Sequence, residues 1–150
     1  MIDSLRIRNL ATIDDLEINF EQGFSILTGE TGAGKSIIIE GIRLVLGEKG
    51  SQDMIRTGEK ETSVEAIFPV SEKESGLKNL IPDLEAEIFI QRKISEQGTG
   101  KGYINGTLVP VKKLKEASGG LVDIYGQNDH VFLLNLDYQL DYLDDFASAS

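Results

Sequence analysis

Residues 24–47 read FSILTGETGAGKSIIIEGIRLVLG. Three pieces of different period follow one another. Phe24 to Thr28 is a short apolar, β-favouring run that predicts a strand leading straight into glycines. Gly29 to Ser36, GETGAGKS, fits the pattern G-x-x-x-x-G-K-[ST] in full. From Lys35 to Leu46 the apolar residues Ile38, Ile39, Ile42, Val45 and Leu46 recur at helical spacing, and Gly47 stands where a C-terminal cap takes a left-handed residue. Strand, glycine loop and helix in that order are what a phosphate-binding loop needs. Small residues let backbone N–H groups wrap around phosphates, and the helix N-terminus adds its partial positive charge. The predicted phosphate site is therefore Gly29, Glu30, Thr31, Gly32, Ala33, Gly34, Lys35 and Ser36. Lys35 would pair with the β- and γ-phosphate oxygens, and the Ser36 hydroxyl would ligate Mg²⁺. A glycine-rich turn with a chance Lys-Ser is the alternative, and both flanks speak against it.

Outward from this loop, the chain alternates between strand and turn signals. Leu5/Ile7 and Leu16/Ile18/Phe20 predict two early strands joined by a turn near Asp14-Asp15, with Arg6 and Arg8 on the solvated side of the first. Residues 48–61 read as a loop, and Val64, Ala66, Phe68 and Val70 as a strand before the charged, substitution-tolerant stretch SEKESGLKN. A further strand is expected near Ile88 to Ile94. Asn105-Gly106, between Tyr103-Ile104 and Leu108-Val109, predicts a two-residue hairpin, so this middle region reads as antiparallel. PVKKLKEAS predicts a short helix started by Pro110 and stopped at Gly119-Gly120. The strand LVDIY and a last helical pattern over residues 137–146 complete the pass.

Composition narrows the function classes. The 150 residues, 40% hydrophobic and 27% charged, suit one globular domain. With 15 Lys and Arg against 25 Asp and Glu, the net charge of −10 gives a long-range field that repels a nucleic-acid backbone. The lack of cysteine excludes disulfides, thiol redox chemistry and thiolate metal sites. No apolar run approaches the ~18 residues that would span a bilayer, so a soluble, unexported protein is expected.

A phosphate loop establishes nucleotide binding and little more; hydrolysis also needs a group to hold Mg²⁺ and position water. The stretch ASGGLVDIYGQNDH, Ala117 to His130, offers three readings. As a GTPase switch, Asp123-x-x-Gly126-Gln127 would hold Mg²⁺ and water, yet a guanine-selecting N-K-x-D is missing and a hairpin region intervenes. As a transporter-type signature with a Walker B aspartate, ASGG would have to begin a helix, whereas a helical pattern ends there, and Ile124 stands where a carboxylate would follow Asp123. As a glutamine loop, Gln127 ends a strand and offers its side-chain carbonyl to Mg²⁺ and the attacking water beside Ser36, releasing on a small loop movement. The third reading makes Lys35 and Gln127 the catalytic pair.

These residues resemble the RecN family, bacterial DNA double-strand-break repair ATPases related to SMC proteins and the broader ABC class. The resemblance runs through the first 50 residues, RKIS and KGYINGTLVP in the middle, and LVDIYGQNDHVFLL and YLDDFA late in the chain. It implies an α/β P-loop NTPase of ABC/SMC head type: an N-terminal lobe with a mixed or antiparallel β-rich subdomain, lacking the C-terminal half of the head. Residues 1–150 would form that part of a split head, with Walker A at 29–36, the Q-loop at 126–130 and a coiled-coil arm after about residue 147. It further implies ATP and Mg²⁺ as cofactors, Ser36 and Gln127 as the metal-binding side chains, and an ATP-approaching role for Arg56, against which a surface-loop arginine is the alternative. The family more often has His-Glu-His after Gly-Gln, where this chain has Asn128-Asp129-His130, and His130 reads as a polar loop residue.

The implied partners are the chain's own C-terminal head half, a second copy through ATP-engaged heads, and DNA through the full-length protein, with no membrane. The expected location is the bacterial cytoplasm, at the nucleoid when acting on DNA. ATP-driven head engagement would be coupled to DNA bridging in double-strand-break repair and recombination. ATP hydrolysis would belong to the full-length protein, not to these residues alone. The alternatives are another SMC-like or RecF-like DNA-maintenance ATPase, a non-hydrolysing nucleotide-gated dimerisation module, and, with less support, a GTPase.

Overall fold

Six strands form one sheet: β1 (Ser4–Leu10), β2 (Ile13–Asn19), β3 (Glu61–Pro69), β4 (Glu87–Ser95), β5 (Gly100–Ile104) and β6 (Thr107–Val109). Their order is β2-β1-β3-β4-β5-β6, and every neighbouring pair is antiparallel. The computed structural model describes residues 2–29, 34–70, 81, 84, 86–98, 100–119, 121, 122 and 124. Of the mixed or antiparallel sheet expected, the described residues form the antiparallel one.

The period of 2 in the strands sorts their residues onto two faces. Across one face, Leu5 pairs with Ala66, Ala66 with Ile90 and Ile90 with Ile104, all buried. Helices α1 (Gly34–Val45) and α2 (Val111–Ser118) cover this face. Each large side chain buried there, such as Leu5, Ile7, Phe68 or Leu114, contributes about 1.5–3 kcal/mol. The opposite face is a ladder of charge. Glu17, Arg6, Glu65 and Gln91 lie in one cross-strand row, and Gln91 Nε2 donates to Glu65 Oε1 at 2.7 Å. Arg6 grips Asp15 with two nitrogens, Nε at 3.1 Å and Nη2 at 2.8 Å, as expected of a solvated strand face. That pairing holds the Asp15 carboxyl below its ordinary range and raises the Arg6 guanidinium; Arg8 adds a weaker pull on Asp15.

Glycines set how closely α1 and α2 approach the sheet. A Cβ on Gly41 of α1 would lie 2.7 Å from Ile7 Cδ1 of β1, and one on Gly102 of β5 would lie 2.6 Å from Leu114 Cδ1 of α2. Helix α1 ends as expected: Gly47 has φ 92°, its N–H donates to Leu44 O at 3.0 Å, and Glu48 N–H donates to Arg43 O at 3.0 Å, the two bonds of a Schellman cap. The buried Ser118 hydroxyl then donates to Leu46 O at 2.6 Å, joining the ends of the two helices. The 105–106 turn is also as expected: Asn105 (φ 47°) and Gly106 (φ 78°) are both left-handed, and Asn105 Oδ1 accepts from Phe89 N–H at 2.9 Å.

Four local expectations need correction. Phe24 to Thr28 is not a strand: no described strand pairs with it, and Phe24, Ile26 and Leu27 are exposed by 89%, 69% and 40%. Its pattern supplies the side chains of a strand but not an edge to bond its backbone. The first turn lies at Ala11-Thr12, with Ala11 at φ 50°, while Asp14 and Asp15 belong to β2, where Asp15 meets the arginines of β1. Ile39, counted on the apolar face of α1, is exposed. Leu121, Val122 and Ile124 are not in a strand; Leu121 is buried in a turn and bonded through its N–H to Ser118 O. Gly119, which follows α2 as predicted, is right-handed (φ −61°) and bonds back to Lys115 O, so it stops the helix without a left-handed cap. The SEKESGLKN stretch, Gly120, Asp123, the Q-loop at 126–130 and the 137–146 helical pattern lie outside the described residues.

Candidate functional site

The phosphate-loop sequence opens onto the N-terminus of α1, which begins at Gly34. Its first turn carries no acidic side chain, so nothing there competes with an anion for the unpaired N–H groups. Gly29, Gly34, Lys35 and Ser36 are described; Glu30, Thr31, Gly32 and Ala33 lie outside the described residues. The Lys35 ammonium donates to the carbonyl of Gly29, so the two ends of the loop are brought together by the side chain expected to hold phosphate. A carbonyl is a weak partner for an ammonium compared with a phosphate dianion. Ser36 is exposed, its hydroxyl free to face a metal. Among the described residues no cluster of three His, Cys, Asp or Glu side chains could hold a metal by itself. The donor set fits a Mg²⁺ held by Ser36 together with the phosphates it accompanies.

Beside Ser36 lies a cleft of about 290 Å³, lined by Leu10, Ala11, Ile37 and Met54 with Glu40 and Asp53 at its polar side. Backbone bonds assemble it: Ala11 N–H donates to Met54 O at 2.7 Å, and a bridge joins Leu10 to Ile55. Arg56 clamps the same junction. Its N–H donates to Asn9 O at 2.9 Å, and its guanidinium Nη1 donates to Thr12 O at 2.8 Å. The structure therefore places Arg56 at the β1–β2 turn that borders this cleft, bonded to backbone. Sequence reasoning did not single out Leu10, Ala11, Ile37 and Met54. They are brought together by pairing between residues more than forty positions apart, which leaves no local pattern. Gln127, the other half of the expected catalytic pair, lies outside the described residues.

The profile of the family described as "AAA domain" matches residues 4–118. Among curated proteins, the chain is 40% identical over 98% of its length to the DNA repair protein RecN of Halalkalibacterium halodurans, and 40% identical over 99% to that of Bacillus subtilis. It spans 27% of the length of each. Among solved structures, a chain from a study titled "Structural biochemistry of ATP-driven dimerization and DNA stimulated activation of SMC ATPases" superimposes with a TM-score of 0.70 at 21% identity. It covers 97% of this chain and 98% of that one. At that identity the likeness shows the fold, that of an SMC ATPase head segment, as expected. Among the described residues no helix is long and apolar enough to cross a membrane.

Proposed function

Since the chain belongs to the AAA domain family and aligns with a segment of RecN proteins, consistent with their N-terminal part, we propose that it is the ATP-binding half of an SMC-like DNA-repair ATPase. One observation carries this reading: Lys35 at the first turn of α1, a turn without an acidic side chain, reaches back to the carbonyl of Gly29 at the start of GETGAGKS. ATP with Mg²⁺, when bound, supplies the anhydride to be cleaved. The chain's residues would hold it: Gly29 to Gly34 by backbone N–H groups, Lys35 by charge and Ser36 by its hydroxyl. The cleft bordered by Leu10, Ala11, Ile37 and Met54, with Ser36 in its lining, would offer an apolar surface to the flat base of the nucleotide. Arg56, bonded to Thr12 O, would steady that border and present positive charge beside it. Gln127 would position the attacking water and sense the γ-phosphate.

The exposed apolar segment Phe24, Ile26, Leu27 supports a head completed by further protein. In the full-length protein that partner would be the C-terminal half of the head. A second copy would then join through ATP-engaged heads, with DNA bridging coupled to engagement. In the full-length protein, Lys35→Ala abolishes ATP turnover; unchanged hydrolysis would remove the phosphate-site assignment. Gln127→Ala leaves ATP binding largely intact and slows hydrolysis, whereas a purely structural glutamine would show up as lost stability. Residues 1–150 alone hydrolyse ATP no faster than buffer, and robust turnover by them would refute the split site.

A further inference from the structure

On β4 the inward-facing row reads Ile88, Ile90, Arg92, Ile94, so an arginine occupies a core position. Its cross-strand neighbours are Val64 of β3 and Gly102 of β5. The residue is 5% exposed, and among the described residues its Nε and Nη1 have no hydrogen-bond partner. Burial lowers its pKa, yet a guanidinium stays charged at any physiological pH. A buried charge without a counter-charge is costly, and a merely structural role would favour an apolar residue here. Room for the guanidinium comes from Gly100, where a Cβ would lie 2.5 Å from Nη2.

Arg92 lines a cleft of about 620 Å³ between the C-terminal end of α1, the β4–β5 turn and α2. Lys49 and Lys115 also line it, both exposed; among the described residues neither has an ion pair, and Glu48 is the one carboxylate of the lining. The remaining wall is largely glycine, from Gly47, Gly50, Gly98 and Gly100, so a ligand can approach the backbone. These cations are not serving the negative end of α1. The carbonyls of Arg43 and Leu44 accept from Glu48 and Gly47, and that of Leu46 accepts from Ser118. Nor is the cleft part of the phosphate loop, since the twelve residues of α1 separate the two by about 18 Å.

We propose that this cleft binds a phosphate group, with Arg92, Lys49 and Lys115 as its ligands. Three cations against one carboxylate match the charge of about −1.5 to −2 on a phosphate monoester better than that of a carboxylate. A planar guanidinium flanked by two ammonium groups also suits an anion with three or more oxygens. Beside the proposed phosphate loop, such a site gives a chain of net charge −10 a second local place where phosphate is favoured. The phosphate could be a small-molecule monoester or two neighbouring diesters of a nucleic-acid backbone, each with one negative charge; the phosphate oxygens are shared chemistry, and the test separates the two.

The test uses the full-length protein carrying Lys35→Ala, so that the phosphate loop does not contribute. Two probes are titrated: inorganic phosphate, by calorimetry, and a fluorescein-labelled duplex oligonucleotide, by anisotropy at fixed salt. Lys49→Ala with Lys115→Ala, both at exposed positions, should weaken binding about tenfold or more. A fall for both probes, or for the oligonucleotide alone, assigns the site to a nucleic-acid backbone; a fall for phosphate alone assigns it to a small phosphate ligand. No change for either probe overturns the proposal. Arg92→Met should lose the same binding without a lower Tm, whereas a lower Tm with unchanged binding would make Arg92 a structural cation and also overturn it. Should Arg92→Met not fold, the double lysine variant decides alone.

Discussion

Gly41→Ala tests how α1, and with it Lys35 and Ser36, is seated on the sheet. In an isolated helix the change would stabilise by about 0.8–1.0 kcal/mol. Here the new methyl would sit 2.7 Å from Ile7 Cδ1 and 3.2 Å from Ile7 Cγ1, with Leu10 Cδ2 at 3.6 Å. Ile7 is fully buried and Leu10 nearly so, so neither can swing into solvent. Overpacking of this kind costs about 1–3 kcal/mol, which outweighs the propensity gain and leaves a net loss of up to about 2 kcal/mol. Urea unfolding followed by circular dichroism measures it. The cause is isolated by Ile7→Val, which removes Cδ1. Alone it costs about 0.5–1.5 kcal/mol, but combined with Gly41→Ala it should cost less, with a coupling of at least about 0.5 kcal/mol. A Gly41→Ala protein that gains about 1 kcal/mol, with effects additive to Ile7→Val, would refute the close helix–sheet contact.

Ser118→Ala leaves Leu46 O at the end of α1 without its 2.6 Å donor in a buried setting and should cost about 1–3 kcal/mol in the same assay. A loss too small to measure would mean that the hydroxyl does not join the helices. Asp15, gripped by Arg6, should titrate below an ordinary aspartate when its carboxyl is followed by NMR. Because the folded pKa is the depressed one, the pair's contribution is present above the unfolded value of about 3.9 and lost as pH falls through the lower folded value. Asp15 is exposed, so raising the salt should move it back toward the ordinary value, and an ordinary titration at low salt would contradict the pairing.

Local signals carried much of this protein. The GETGAGKS pattern announces the start of a helix, which α1 makes at Gly34, because small residues suit the backbone at such a spot. Asn105-Gly106 announces a turn with both residues left-handed, and Gly47 a left-handed cap, for the same reason. Alternation identified β1, β2 and β3, and it put Arg6 on the wet face. An apolar, β-favouring run also suggested a strand at Phe24 to Thr28, where it failed, because a strand is completed by a neighbour's N–H and C=O groups and no local pattern reports whether one is there. The turn at Ala11-Thr12 was hidden likewise: Asp14-Asp15 looks like a turn until Arg6 and Arg8 lie opposite it. The sequence by itself determined the start of α1 at Gly34, the cap at Gly47 and the Asn105-Gly106 turn, all governed by residues a few positions apart. Only the tertiary structure decided the helix-to-sheet spacing at Gly41 and Gly102, the cleft beside Ser36, and the buried charge of Arg92, without a counter-charge among the described residues. Each of these depends on contacts between residues tens of positions apart, where chain neighbours carry no information.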